Sequence, residues 1–207
     1  MPSQRELAKQ VLSLLDLTSL GEDDSPAEIE TLCASALAAP VLPAALCVYP
    51  EHVTTLQRAV AGTPVKVATV VNFPDGSCDA GRIARETRRA IAAGADEVDL
   101  VFPYRAFNRD EPVAVQQALA AAREACGSEI TLKLILETGA LDDPAQIRRA
   151  SHLGIGAGVD FLKTSTGKLD VGATPTAADV MLAAIAETGR RCGFKAAGGI
   201  RSLAGAA

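Results

Sequence analysis

The chain contains no tryptophan, and aromatic residues make up only 3% of it. Its core must therefore be built from Ala, Val, Leu and Ile, the usual composition of parallel sheets covered by helices. Histidine is nearly as scarce. His52 and His152 lie far apart and lack the spacing of metal ligands, so no metal site is expected. No apolar run approaches the ~20 residues of a membrane span, and the N-terminal MPSQRELAKQ lacks the apolar stretch of a signal peptide. The five cysteines are odd in number and include no Cys-x-x-Cys pair. That pattern speaks against a disulfide framework and for a cytoplasmic protein with reduced thiols. Positive charge is in deficit, with 20 Lys and Arg against 25 Asp and Glu and a formal charge of −5. Neither nucleic acid nor an anionic membrane is then expected as the main partner, although a local cationic pocket could still take a phosphate.

What the sequence does have is 48% hydrophobic residues in 207 positions, enough for a sizeable core. Seven strand-like segments fall near residues 15–20, 44–49, 65–72, 97–102, 130–137, 159–164 and 193–196. Helical segments alternate with them. Ser25-Pro26 and Thr174-Pro175 have the chemistry of helix starts, and Gly94 and Gly127 that of helix stops. No linker separates two domains. Repeated strand–helix units imply parallel strands with right-handed crossovers. The Gly154–Gly158 run lacks the GxGxxG spacing and precedes a strand instead of opening a helix, which weighs against a nucleotide-binding doubly wound sheet. An α/β fold of the (β/α)8 TIM-barrel type fits better, as a single domain over residues 1–207. Its site is expected at the C-terminal ends of the strands.

Those strand ends carry an unusual load of ionisable residues: Asp16, Asp99, Lys133, Glu137, Lys163 and Lys195, with Asn72 closing the third strand. Core strands normally read as uninterrupted Val, Ile and Leu. In VDFLKTSTGK, a short buried strand delivers Lys163 to its end, and a polar turn with Gly167 and Lys168 follows. Lys195 sits on the next strand at similar depth. Two neighbouring ammonium groups disfavour double charging, so one pKa should fall and leave a nucleophile able to form a Schiff base. Asp99 could carry protons or balance charge. The competing reading is a structural Lys–Asp–Lys network, which would raise the lysine pKa values. Lys133 reads equally well as structural or catalytic. Gly167, Lys168, Gly198, Gly199 and Arg201 follow the sixth and seventh strands, where backbone N–H groups and cations favour an anion.

Taken together, LDLTSL, LCVYP, VVNFPDG, ADEVDLVFPYRAF, LKLILETGAL, DFLKTSTGK and GFKAAGGIR give the chain its family character. It resembles the deoxyribose-phosphate aldolases, class I aldolases on a TIM barrel. The resemblance implies reversible cleavage of 2-deoxy-D-ribose 5-phosphate to D-glyceraldehyde 3-phosphate and acetaldehyde, without cofactor or metal. It implies Lys163 as the Schiff-base lysine, Lys195 as the neighbour that lowers its pKa, and Asp99 as a proton relay. Thr166, Gly167, Lys168, Gly198, Gly199 and Arg201 fall on phosphate-binding positions, and Asp16 is grouped with them on the substrate side. The partners expected are small phosphosugars and aldehydes, with a homodimer as the assembly. Two alternatives are a non-catalytic phosphometabolite-binding barrel and another phosphosugar lyase or isomerase. The family also has an eighth strand and a final helix beyond GFKAAGGIR. At roughly 30 residues per βα unit, this chain accommodates seven. The eighth unit is thus expected to be missing, leaving a C-terminally incomplete barrel whose first and seventh strands do not pair.

Overall fold

The computed structural model describes residues 3–141, 143–200 and 202–206. Seven parallel strands lie side by side in chain order: β1 (Asp16–Thr18), β2 (Ala45–Val48), β3 (Lys66–Val71), β4 (Glu97–Val101), β5 (Thr131–Ile135), β6 (Phe161–Lys163) and β7 (Gly193–Lys195). Each falls inside a segment read as a strand from the sequence. Helix α1 (Gln4–Ser13) precedes β1, and α2 (Pro26–Leu37) and α3 (Val53–Ala59) follow β1 and β2. Helix α4 (Ala80–Ala92) follows β3, and α5 (Tyr104–Asn108) and α6 (Pro112–Cys126) follow β4. The series ends with α7 (Pro144–Gly156), α8 (Pro175–Thr188) and α9 (Leu203–Ala206).

The helix starts follow the local chemistry. Ser25 and Glu28 form a reciprocal capping box ahead of Pro26, and Thr174 accepts from the Ala177 N–H ahead of Pro175. Helix α7 runs past His152 into the Gly154–Gly158 run. It continues through Gly154 because that glycine faces the sheet, where a Cβ would press on Leu134 and Leu162. Helix α5, five residues long, is too short to show a helical period in the sequence.

Two side-chain bonds show that the sheet curls. On a flat sheet, β1 and β5 would stand about 19 Å apart, four strand spacings. Instead Lys133 Nζ on β5 donates to Asp16 Oδ2 on β1 at 2.8 Å, and Lys195 on β7 pairs with Asp16 as well. Among the described residues no backbone ladder joins β7 to β1, as the sequence reading anticipated. Side chains span that seam: Lys195 Nζ also donates to the Leu14 carbonyl at 3.3 Å.

Alternation along the strands sorts the interior from the exterior. Leu46, Val48, Val67, Val98, Leu100, Leu132, Leu134 and Leu162 join the main apolar core beneath the helices. Ala45, Cys47, Ala68 and Val70 form a separate cluster with Leu20, Tyr49 and Phe73. The small residues of β2 and β3 leave room for long charged side chains from the opposite strands. Gly193 on β7 makes room for the Phe161 ring of β6, with which any side chain there would collide.

Candidate active site

Parallel registry sets the site. Asp99 pairs with Lys133 across β4 and β5, and Lys163 pairs with Lys195 across β6 and β7. Because Ile135 is the β5 partner of Lys163, that lysine stands one inward-facing layer nearer the C-terminal mouth than Lys133. The side chains form a chain of alternating charge. Lys163 Nζ donates to Asp99 Oδ2 at 2.6 Å. Lys133 Nζ lies 3.0 Å from Asp99 Oδ1, 2.6 Å from Glu97 Oε2 and 2.8 Å from Asp16 Oδ2. Asp16 Oδ1 then pairs with Lys195. The Lys133–Asp99 contact is poorly aligned for hydrogen bonding and acts as an ion pair alone. The Asp99 side chain is fully buried, and that of Lys163 is 8% exposed.

This geometry sets the protonation states. Burial works against the Asp99 charge, but Lys163 and Lys133 overcome it and bring the pKa down to about 2. Burial also works against charge on Lys163, and the Asp99 carboxylate outweighs it, so the Lys163 pKa lies above the ordinary lysine value. Lys133 is displaced in the same direction, with Asp99, Asp16 and Glu97 overcoming its burial. The lowered Lys163 pKa expected from a neighbouring Lys195 is therefore not what the geometry produces. Lys195 is neutralised against Asp16, and the like charge bearing on Lys163 comes from Lys133. The inward-facing Cys47 thiol is pushed up to about 12 by burial and stays protonated.

Above the lysines, two threonines fasten the loop after β6. Thr164 Oγ1 donates to the Ala197 carbonyl and accepts from the Ala197 N–H, both at 2.9 Å, tying this loop to the one after β7. Thr166 bonds to Glu137 at the end of β5 through both its N–H and its hydroxyl. Gly167, Gly198 and Gly199 have φ of 78°, 88° and 83°, conformations that favour glycine. Gly198 lies against Gly167 and Gly172, and its carbonyl accepts from the Ala173 N–H at 3.1 Å. Lys168 Nζ donates to the Leu20 carbonyl at 2.7 Å and lies 5.9 Å from the centre of the Tyr49 ring.

The fold thus gathers Lys163, Asp99, Lys195 and Asp16 in one network and Thr166, Gly167, Lys168, Gly198 and Gly199 at its rim. Arg201 lies outside the described residues. Both Asp16 oxygens are engaged by lysines, so it links Lys133 to Lys195 in the network. Asn72 is spent on its own turn: its Nδ2 donates to the Ser77 and Val101 carbonyls, and its Oδ1 accepts from the Ser77 N–H. Sequence reasoning missed Glu97, Thr164 and Gly172. The polar TST run signalled Thr164, whereas nothing local distinguishes Glu97 from a solvated strand-edge residue. Among the described residues, no group of three His, Cys, Asp or Glu could hold a metal ion.

Known proteins share this architecture. The profile of the DeoC/LacD family aldolases matches residues 10–206. A deoxyribose-phosphate aldolase of Agrobacterium fabrum is 49% identical over 200 residues, spanning 96% of this chain and 77% of that one. The tetrameric deoxyribose phosphate aldolase of Aeropyrum pernix superposes with a TM-score of 0.82 at 25% identity, over 99% of this chain and 91% of its own. A structure described as QR15, an aldolase, gives a TM-score of 0.85 at 30% identity, over 95% and 85% of the two chains. A curled parallel α/β sheet carrying a buried lysine at a strand end, in this company, is an aldolase, a carbon–carbon lyase. The chain belongs to the DeoC/LacD aldolase family.

Proposed function

We propose that the protein reversibly cleaves 2-deoxy-D-ribose 5-phosphate to D-glyceraldehyde 3-phosphate and acetaldehyde, through a Schiff base on Lys163. The observation that carries this reading is the 2.6 Å hydrogen bond from Lys163 Nζ to Asp99 at the mouth of the barrel. In the first step Lys163 passes its proton to Asp99 as the free amine attacks the C1 aldehyde carbon. The attacking nitrogen gives a second proton to the carbonyl oxygen, and Asp99 returns the first to the hydroxyl so formed, which leaves as water. The resulting iminium is again a cation facing a carboxylate, so the ion pair lost during attack is regained when the imine forms. The iminium withdraws electrons as the C2–C3 bond breaks and the C3 hydroxyl gives its proton to the Asp99 carboxylate. Glyceraldehyde 3-phosphate departs, Asp99 passes that proton to C2 of the enamine left on Lys163, and water hydrolyses the resulting iminium to acetaldehyde and the free lysine.

Lys195 offsets the Asp16 carboxylate and so limits how far the network favours the charged form of Lys163, and Asp99 carries protons. Thr166, Gly167, Lys168, Gly198, Gly199 and Arg201 take the phosphate through backbone N–H groups and positive charge, and Asp16 orders the lysines beneath. We read the chain as one barrel domain. An eighth βα unit set between β7 and β1 would complete it, a reading supported by the facing edges that share no ladder. Five free cysteines support a cytoplasmic enzyme, and we retain a homodimer as its assembly. The function is tested by following glyceraldehyde 3-phosphate release from deoxyribose 5-phosphate. Wild-type protein is expected to release it and Lys163→Met to lose turnover by several orders of magnitude with its fold intact. Full turnover by Lys163→Met would refute the proposal.

A further inference from the structure

Glu137 differs from the other carboxylates of the barrel. It is buried at the C-terminal end of β5, and among the described residues no lysine or arginine pairs with it. Its backbone is left-handed, with φ 57° and ψ 59°, an uncommon conformation for a residue with a side chain. Backbone bonds hold it there: the Leu136 N–H donates to the Lys163 carbonyl and the Thr138 N–H to the Thr164 carbonyl, each at 2.9 Å. A buried charge and a strained backbone both cost free energy, so plain scaffolding does not explain why the two occur together.

Among the described residues the Glu137 carboxylate bonds only to Thr166. It accepts the Thr166 hydroxyl proton and, more weakly, the Thr166 N–H at 3.3 Å. Once that hydroxyl proton is committed, a lone pair of Oγ1 faces the other way and accepts the Lys168 N–H at 3.0 Å. The two bonds in series fix the Thr166–Lys168 turn around Gly167 in its left-handed conformation. Burial pushes the Glu137 pKa up while the bonds from Thr166 pull it down.

We propose that Glu137 is a positioning residue for the substrate phosphate, acting through Thr166 to shape the turn that receives the anion. The proposal rests on the phosphate reading given above. It makes reach, and not charge, the property that matters. Gln keeps both the length and an accepting oxygen, Asp keeps the charge but retracts it from Thr166, and Ala removes it.

The test compares steady-state kinetics of the wild type, Glu137→Gln, Glu137→Asp and Glu137→Ala on deoxyribose 5-phosphate and on unphosphorylated deoxyribose. Glu137→Gln is expected to stay near wild type on both. Glu137→Asp and Glu137→Ala are expected to raise KM for the phosphorylated substrate about tenfold, the effect of roughly one lost hydrogen bond to a charged group. Turnover of deoxyribose should change little and serves as the control for folding. If Glu137→Ala proves insoluble, the contrast between Gln and Asp still decides. Equal losses on both substrates, or a damaged Glu137→Gln beside an intact Glu137→Asp, would overturn the inference while leaving the phosphate site standing. A wild-type enzyme indifferent to the phosphate would overturn both.

Discussion

Lys163 and Asp99 sit on strands separated by β5, yet their side chains meet at 2.6 Å across the interior of the curled sheet. Asp99 is shared with Lys133, so the reactive lysine is one member of a five-residue chain that ends at Lys195. This chain favours the protonated form of Lys163. In the mechanism proposed above, reaction begins with transfer of the Lys163 proton to Asp99.

Asp99→Asn removes the opposite charge that raises the Lys163 pKa. Burial and Lys133 then dominate, and the Lys163 pKa should fall. The yield of imine with acetaldehyde, measured by reductive trapping across pH, should reach its midpoint at lower pH than in wild type, even though overall turnover declines. A midpoint that stays in place or rises would contradict the electrostatic assignment.

Acid should unfold the protein partly through Asp99. Its folded pKa of about 2 lies below the ordinary 3.8. The group therefore adds stability above the unfolded value, and that contribution is lost as pH falls through the folded one. Its size is about 2 kcal/mol. Urea midpoints measured from pH 6 to pH 2.5 should drop more steeply in wild type than in Asp99→Asn. Parallel curves would show that Asp99 is not the coupled group. Lys163, whose pKa is raised, has the opposite sign: its contribution holds below the ordinary lysine range and disappears only at strongly alkaline pH.

Lys195→Leu leaves an Asp16 oxygen without its cation. The unmasked carboxylate favours the charged form of Lys163, so the pH–rate profile should move to higher pH. A profile that stays put or moves to lower pH would show that Lys195 does not tune its neighbour.

Gly172→Ala tests the packing of the rim. A Cβ on Gly172 would collide with the Gly198 carbonyl. Overpacking of this kind costs about 1–3 kcal/mol, and here it would shift the loop that carries the proposed phosphate contacts. KM for deoxyribose 5-phosphate should rise about tenfold or more while turnover of deoxyribose is largely kept. Equal effects on both substrates would place the damage in the barrel as a whole.

Much of this site could be read in the sequence because buried parallel strands tolerate few charges. Asp99, Lys133, Lys163 and Lys195 stood out against apolar neighbours, and their strands were found where expected. Their protonation states could not be read, because these depend on which carboxylate each ammonium meets once the sheet curls. Asp16 and Lys133 are 117 residues apart and touch only across the barrel. The left-handed backbone of Glu137 carries no glycine to announce it, and the glycines of α7 look like breakers until Gly154 is seen against Leu134.

The central claim is that Lys163 is the covalent nucleophile. Its most direct test is borohydride reduction in the presence of acetaldehyde, followed by peptide mapping by mass spectrometry. The account predicts a single ethyl group on Lys163, absent when aldehyde or borohydride is omitted and absent in Lys163→Met. An adduct on Lys133, Lys168 or Lys195 with Lys163 unmodified, or no adduct in a protein that turns over deoxyribose 5-phosphate, would contradict it.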